Sequence, residues 1–316
     1  MGEMSTSHYQ PDRDIPDLSG RVYLVTGGNS GLGYETIRQL ARHNPQKIWM
    51  GARNKAKAEA AIEAIQRANK IQCAPIEFLE LDLASFESIK AAARRLNLET
   101  NRLDVLINNA GIMACPEGQT KEGYELQFGT NHLGHALLTQ LLMPKLKQTA
   151  RSGSDVRIVV LSSRGERYAP PEGYLFEPAD RIKSGMPEIS TWARYGQSKL
   201  ANIHYVRSLA RQHPDIICVS IHPGRVNTGL VRGMAESWPW LSWLSPIIMP
   251  LTTVPVTEGA KNQLWAATAP KQHIRSGEFY WPLGVTGMGT AKVNDETMER
   301  RLRDWTEKEL RGHVEL

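Results

Sequence analysis

The sequence predicts an α/β fold in which a doubly wound parallel sheet carries helices on both faces. Three observations carry that prediction. Short, almost continuously apolar runs recur along the chain, among them 21–26 (RVYLVT), 157–162 (RIVVLS) and 216–221 (IICVSI). Strands of that kind belong to parallel sheets that are covered on both sides, because neither face meets water. Amphipathic helical patterns separate the runs, as crossover connections between parallel strands require. Finally, no internal repeat or low-complexity linker interrupts residues 20–316, so they are expected to form a single domain.

The elements follow in order. Residues 1–19 are polar, hold Pro11 and Pro16, and lack an apolar run, so they read as a flexible arm without a secretory signal. A strand at 21–26 leads into a helix from about 33 to 42, then a strand at 47–51 and an Ala-rich helix at 54–69. A strand at 76–81 precedes a helix at 85–96, for which Ser85 is a suitable N-cap. A strand at 103–108 is followed by a long helical pattern over 124–147, and the strand at 157–162 by a helix at 193–211. The strand at 216–221, a helix at 258–267 and a short strand at 277–281 complete the series. Two irregular segments break the alternation, 164–191 and 229–256, and both follow strand ends where open α/β sheets bind ligands.

Composition narrows the function classes. Hydrophobic residues make up 41% and charged residues 22%, an ordinary globular balance. The net charge of +5 is spread along the chain without a Lys/Arg block, which argues against nucleic acid and would help attract an anionic cofactor. Cys73, Cys115 and Cys218 form no CxxC pair and no metal-ligand spacing, which suits a reducing, cytoplasmic setting and no metal. The most apolar stretch, 235–251, is short for a membrane span and broken by Pro239, Pro246 and Pro250. No integral span is expected, and peripheral membrane contact stays open.

Two constellations carry chemistry. The first strand runs into Thr26, then Gly27, Gly28, Asn29, Ser30, Gly31, Leu32 and Gly33, and on into a helix. Glycines there let phosphates approach backbone N–H groups at a helix N-terminus. The same cluster also fits a plain tight turn, but its place after the first strand of a parallel chain favours a dinucleotide site. The second strand ends in Arg53 with no acid nearby. An acid there would take the ribose 2′-hydroxyl of NAD, whereas an arginine accommodates the 2′-phosphate of NADP, so NADP(H) is expected. Tyr195 and Lys199 stand four apart on the helix over 193–211, on one face. An ammonium beside a phenol favours the ionised form and would let it exchange a proton near neutral pH. Many helices carry the same spacing as simple packing.

With TGGNSGLG, then Asn108, Asn109, Ala110 and Gly111 after the fourth strand, a serine pair ending the fifth, and YGQSK on the next helix, the chain resembles the short-chain dehydrogenase/reductase family. The likeness spans about 21–280. TNHLGH around Asn131, YGQSKLAN and HPGRVNTGL at 222–230 resemble the branch of retinol dehydrogenases, the WW-domain oxidoreductase and protochlorophyllide reductase. The resemblance implies a Rossmann fold and a set of roles. Tyr195 matches the proton donor and acceptor; Lys199 matches the lysine that lowers its pKa and binds the nicotinamide ribose. Ser163 matches the serine that bonds the substrate oxygen, and Asn131 the support of a relay water. Asp82 and Leu83 match the adenine neighbourhood, and Asn109, Ala110 and Gly111 the cofactor channel. Pro223, Gly224, Val226 and Thr228 match the segment beside the nicotinamide. Structural alternatives exist: Ser162 or Ser163 as a strand end, Asn131 bonding backbone at a helix irregularity, Asp82 as an N-cap. The run Arg164-Gly165-Glu166-Arg167 is more charged than is usual there and leaves substrate polarity open.

The segment 229–256 holds Trp238, Trp240, Trp243 and a run of Leu, Ile and Met. It is expected to form an apolar lid over a hydrophobic substrate, with internal packing, a subunit interface or a membrane surface as alternatives. The expected activity is NADP(H)-dependent interconversion of a carbonyl and an alcohol on a hydrophobic small molecule. A non-redox dehydratase or isomerase, or an NADP-sensing regulatory protein, are the alternatives on the same fold.

Overall fold

The structure, a computed structural model, describes residues 9–71, 73–176, 181–224, 226 and 254–315. Seven parallel strands form one sheet in the order β3-β2-β1-β4-β5-β6-β7. They are β1 (Val22–Thr26), β2 (Lys47–Ala52), β3 (Ile76–Glu80), β4 (Val105–Asn108), β5 (Arg157–Leu161), β6 (Ile217–Ile221) and β7 (Phe279–Tyr280). The principal helices are α1 (Gly31–Leu40), α2 (Lys55–Asn69), α3 (Phe86–Glu99), α4 (Gly134–Arg151), α5 (Thr191–Gln212), α6 (Val256–Thr268) and α7 (Glu296–Leu310).

Period-2 alternation splits every strand between two cores. Val22 and Leu24 of β1, with Ile158 and Val160 of β5, face α3, α4 and α5. Tyr23 and Val25, with Val159 and Leu161, face α1, α2 and α6. This two-sided burial is why the strands read as unbroken apolar runs. Ser85 caps α3 as expected, its hydroxyl accepting from the Ser88 N–H at 3.3 Å.

Four parts depart from the sequence reading. The described part of the expected flexible arm is packed: Tyr9, Ile15 and Leu18 are buried with α6, and the Tyr9 hydroxyl lies 3.1 Å from Thr268 Oγ1. These are isolated apolar residues without periodicity, so composition alone hid their anchoring. The helical pattern over 124–147 is interrupted by a π-helical turn, Gly129–Leu133. Helix α7 was not anticipated. Asp295 caps it, and Leu302, Thr306 and Leu310 are buried on its inner face. The segment 164–191 sends part of its length into the core, with Tyr174, Leu175, Phe176, Ile182 and Met186 buried. Its Phe176 stacks on Trp305 at 4.6 Å and on Tyr174 at 5.2 Å, and Phe128 packs edge-on to all three rings. Its first turn, Arg164–Tyr168, lies against α5, and so do Tyr174, whose hydroxyl is 2.7 Å from His204 Nδ1, and Met186, whose carbonyl accepts from Arg194 at 3.1 Å. Of 229–256, only 254–256 are described, so the expected lid lies outside the described residues.

Candidate active site

Reversal of strand order between β1 and β4 opens a crevice at their carboxyl ends, where ligands of such sheets bind. Thr26 ends β1 there. Its hydroxyl accepts from the N–H groups of Asn109 and Ala110, both at 2.9 Å, and lies 2.9 Å from His135 Nε2. The other ring nitrogen, Nδ1, is 3.0 Å from the Asn131 carbonyl. A carbonyl only accepts, so Nδ1 carries the hydrogen and Nε2 accepts from Thr26. Burial holds His135 neutral by pushing its pKa down to about 4. One hydroxyl thus ties the β1 turn, the end of β4 and the π turn together.

The glycine turn fits a dinucleotide. Gly27 and Gly31 have φ of 64° and 53°, the left-handed region that glycine favours. A Cβ at Gly33 would sit 2.4 Å from the Gly27 carbonyl oxygen, so only glycine lets α1 start this close to the turn. Ser30 occupies the N-cap position of α1 without making a side-chain cap, which leaves first-turn N–H groups for an anion. Asn109 Nδ2 donates to the Thr26 carbonyl at 2.7 Å, while its Oδ1 is buried and has no partner among the described residues. Leu32 is buried beside Val226, both of which a Cβ at Gly259 would strike. Arg53 lies exposed just past β2, with no ion pair among the described residues, and Asn54 caps α2.

Asp82 does not cap a helix. Its Oδ1 accepts from the Ala84 N–H at 3.0 Å and its own N–H donates to Ser88 Oγ at 2.9 Å, a local turn at the end of β3. The Leu83 carbonyl touches Gly134 at the start of α4. Pro223 and Gly224, the latter at φ 87°, leave β6 on the crevice side; Thr228 lies outside the described residues.

Across the crevice, α5 presents the catalytic candidates. Tyr195 and Lys199 are both buried. The Lys199 ammonium donates to the Leu161 carbonyl at 3.0 Å and lies 5.7 Å from the Tyr195 ring centre. Of the serine pair, Ser162 donates to the Lys199 carbonyl at 2.6 Å and is spent, which leaves Ser163 to face the phenol. Asn131 Nδ2 donates to the Ile112 carbonyl at 2.9 Å and to Ser198 Oγ at 3.0 Å, and its Oδ1 accepts from the Ile112 N–H at 2.8 Å. Its side chain thus makes the backbone contacts of a helix irregularity, a role compatible with supporting a relay water.

Two glycines that the sequence reading passed over set the spacing. A Cβ at Gly165 would lie 2.6 Å from the Tyr195 ring, and one at Gly196 2.4 Å from the Ala169 nitrogen. The turn after Ser163 can therefore press directly on α5. The electrostatics correct one expectation. Burial pushes the Tyr195 phenol up to about 12, and Ser163 offsets only part of that rise. Lys199 is itself pushed down to about 8 by burial, so desolvation outweighs the expected effect of its charge on the phenol.

Comparison with known proteins agrees with this geometry. A family model described as short chain dehydrogenase matches residues 21–175. The short-chain dehydrogenase/reductase drtF of Aspergillus calidoustus is 34% identical, over 94% of this chain and 96% of its own. The chain belongs to the short-chain dehydrogenase/reductase family. Human retinol dehydrogenase 14 is 36% identical over 92% of this chain and 86% of its own, in keeping with the retinol dehydrogenase-like branch. A crystal structure of a Mycobacterium paratuberculosis protein superposes with a TM-score of 0.72 at 29% identity, covering 95% of this chain and 96% of its own. As a short-chain dehydrogenase/reductase, the protein is an oxidoreductase acting between CH–OH and C=O groups with a nicotinamide cofactor. Among the described residues, no helix is long and apolar enough to cross a membrane.

Proposed function

We propose that this short-chain dehydrogenase/reductase uses NADP(H) to interconvert a carbonyl and an alcohol on a hydrophobic small molecule, with Tyr195 as general acid/base. The observation that carries the reading is the convergence of buried Tyr195 and Lys199 with Ser163 across the crevice from the glycine turn. The nicotinamide, when bound, supplies or accepts the hydride. Reduction develops negative charge on the substrate oxygen. The Ser163 hydroxyl donates to that oxygen, and the Tyr195 phenol delivers its proton. Lys199 keeps a fixed positive charge beside the phenol at neutral pH, since its pKa of about 8 leaves it mostly protonated. Asn131 positions α5 by holding Ser198 Oγ, which in turn donates to the Tyr195 carbonyl at 2.7 Å.

Arg53 without a neighbouring acid supports NADP over NAD, with a guanidinium available for the 2′-phosphate. Trp192, packed edge-on to the Tyr195 ring, and Tyr168 beside it support a hydrophobic substrate, as does the name of human retinol dehydrogenase 14. Cysteine usage supports a reducing, cytoplasmic setting. The test is NADPH absorbance followed with a panel of lipophilic and small polar carbonyls, alongside dissociation constants for NADPH and NADH. Stoichiometric cofactor oxidation with lipophilic carbonyls and tighter NADPH are expected. Tighter NADH would remove the NADP assignment; product without cofactor oxidation would remove the redox one.

A further inference from the structure

The turn that follows Ser163 carries two guanidiniums at the mouth of the site. Gly165 touches the Tyr195 ring, so Arg164 and Arg167 flank the point of contact with the catalytic phenol. Arg164 is half-buried, and its guanidinium lies 4.3 Å from the centre of the Trp281 ring. Trp281 in turn lies 5.6 Å from His222, at the end of β6. Arg167 stacks over Tyr168 at 4.9 Å and donates to its hydroxyl at 2.9 Å. Tyr168, Trp192 and Tyr195 continue the aromatic wall, at 5.7 Å and 6.4 Å between successive rings.

Among the described residues, no carboxylate forms an ion pair with either arginine. The nearest acid in sequence, Glu166, is buried and turned away: its carboxylate accepts from the Thr290 N–H at 3.1 Å and the Thr290 hydroxyl at 2.5 Å. Arg164 has no ion pair or hydrogen bond among the described residues, unlike Arg38, Arg102, Arg157 and Arg207, each of which pairs with an acid. His222 Nδ1 is likewise buried without a partner among the described residues. The Arg164 guanidinium sits over the Trp281 ring with its N–H groups available for a two-point contact.

We propose that Arg164 is a specificity residue that binds an anionic group of the substrate, most simply a carboxylate, and that the substrate therefore joins an apolar, aromatic-compatible body to an acidic group. The assignment rests on the carbonyl-reducing reading for where the substrate lies, but the anion site can be read without turnover. The guanidinium fork meets both carboxylate oxygens, while Trp281, Trp192 and Tyr168 cover the apolar body and Tyr195 meets the reacting oxygen.

The primary test loads the protein with NADPH and compares the dissociation constants of naphthoate and its methyl ester by fluorescence. The carboxylate should bind about tenfold more tightly, the scale of one charge-assisted contact at a half-exposed site. In Arg164→Gln the acid-to-ester ratio should fall to near one, and Arg164→Lys, which keeps charge without the fork, should retain part of it. Equal binding of acid and ester to the unaltered protein, a ratio unmoved in Arg164→Gln, or weakened NADPH binding in that variant would each overturn the proposal, the last by making Arg164 a cofactor ligand. A second arm measures kcat/KM for para-carboxybenzaldehyde and its methyl ester. If neither is reduced while the naphthoate ratio still depends on Arg164, the carbonyl-reducing reading falls and the anion site stands.

Discussion

At the cofactor end of the crevice, position is set by backbone: glycines at left-handed φ, a Cβ-free approach at Gly33, and one threonine hydroxyl gathering two N–H groups. At the catalytic end, position is set by burial of ionisable groups: a phenol pushed up, an ammonium pushed down, and a neutral histidine between the two ends. The first arrangement binds without needing any group to titrate. The second holds a proton where a small change in environment moves it. Substitutions at the two ends should therefore separate affinity from rate.

The largest separation is expected from Tyr195→Phe. It removes the proton but keeps the ring against Gly165, so kcat should fall by at least about a hundredfold. NADPH affinity, measured by fluorescence titration, should stay within about twofold, since the ring and its packing remain. Retained turnover would break the assignment of Tyr195. A matched pair of glycine substitutions comes next. Gly33→Ala places a methyl on the Gly27 carbonyl, and the turn must open; cofactor binding should weaken by about tenfold or more. Gly196→Ala strikes the Ala169 nitrogen and the Gly165 carbonyl, and moves the turn that carries Ser163 and Arg164. Its loss should appear mainly in kcat, at constant cofactor affinity. Identical kinetic signatures for the two variants would erase the distinction between the ends.

The contrast also explains what the sequence made legible. The sheet could be read because both faces of each strand are apolar, and the glycine turn because glycine marks backbone geometry directly. Tyr195, Lys199 and Ser163 stand together, as the family resemblance implied. The geometry of the catalytic end was harder to see. Nothing in the sequence tells that Ser162 is spent on the Lys199 carbonyl, or that His135 links Thr26 to Asn131, because both depend on long-range contacts. The net upward shift of Tyr195 is hidden for the same reason, since desolvation depends on everything packed around a group. Helix α7 was missed because it is rich in charge (ETMERRLRDWTEKEL), with its buried stripe reduced to Leu302, Thr306 and Leu310. Asp295 followed by Met298, Leu302 and Trp305 at helical spacing was the available signal.

Burial at the catalytic end has a stability signature. Lys199 has a folded pKa of about 8, below its ordinary value of 10.5. Between those values the unfolded chain holds more protons at this site than the folded one, so this residue makes stability rise with pH. Tyr195 and Cys218, both pushed up to about 12, act in the opposite sense above pH 9 to 10. The lysine contribution is isolated by comparison with Lys199→Met. From pH 8 to 10 the unaltered protein should gain about 2 kcal/mol relative to that variant in urea unfolding. A flat difference would mean that Lys199 is better solvated than its position implies.

The smallest effect comes from two serines at equivalent places on two helices. Ser85 and Ser30 each hold the N-cap position, both with extended backbone, but only Ser85 bonds the first turn of its helix. Removing the Ser85 hydroxyl leaves the Ser88 N–H without its acceptor, so Ser85→Ala should cost about 0.5–1 kcal/mol in urea unfolding, with NADPH affinity unaffected. Ser30→Ala removes no cap, so stability should change by no more than a few tenths of a kcal/mol, about the scatter of surface substitutions. Its hydroxyl stands instead beside first-turn N–H groups suited to an anion, and its loss should appear as weaker NADPH binding. If Ser30→Ala proved the more destabilising of the two, α1 would be held like any other helix, and the claim that its N-terminus is kept open for phosphate would fail.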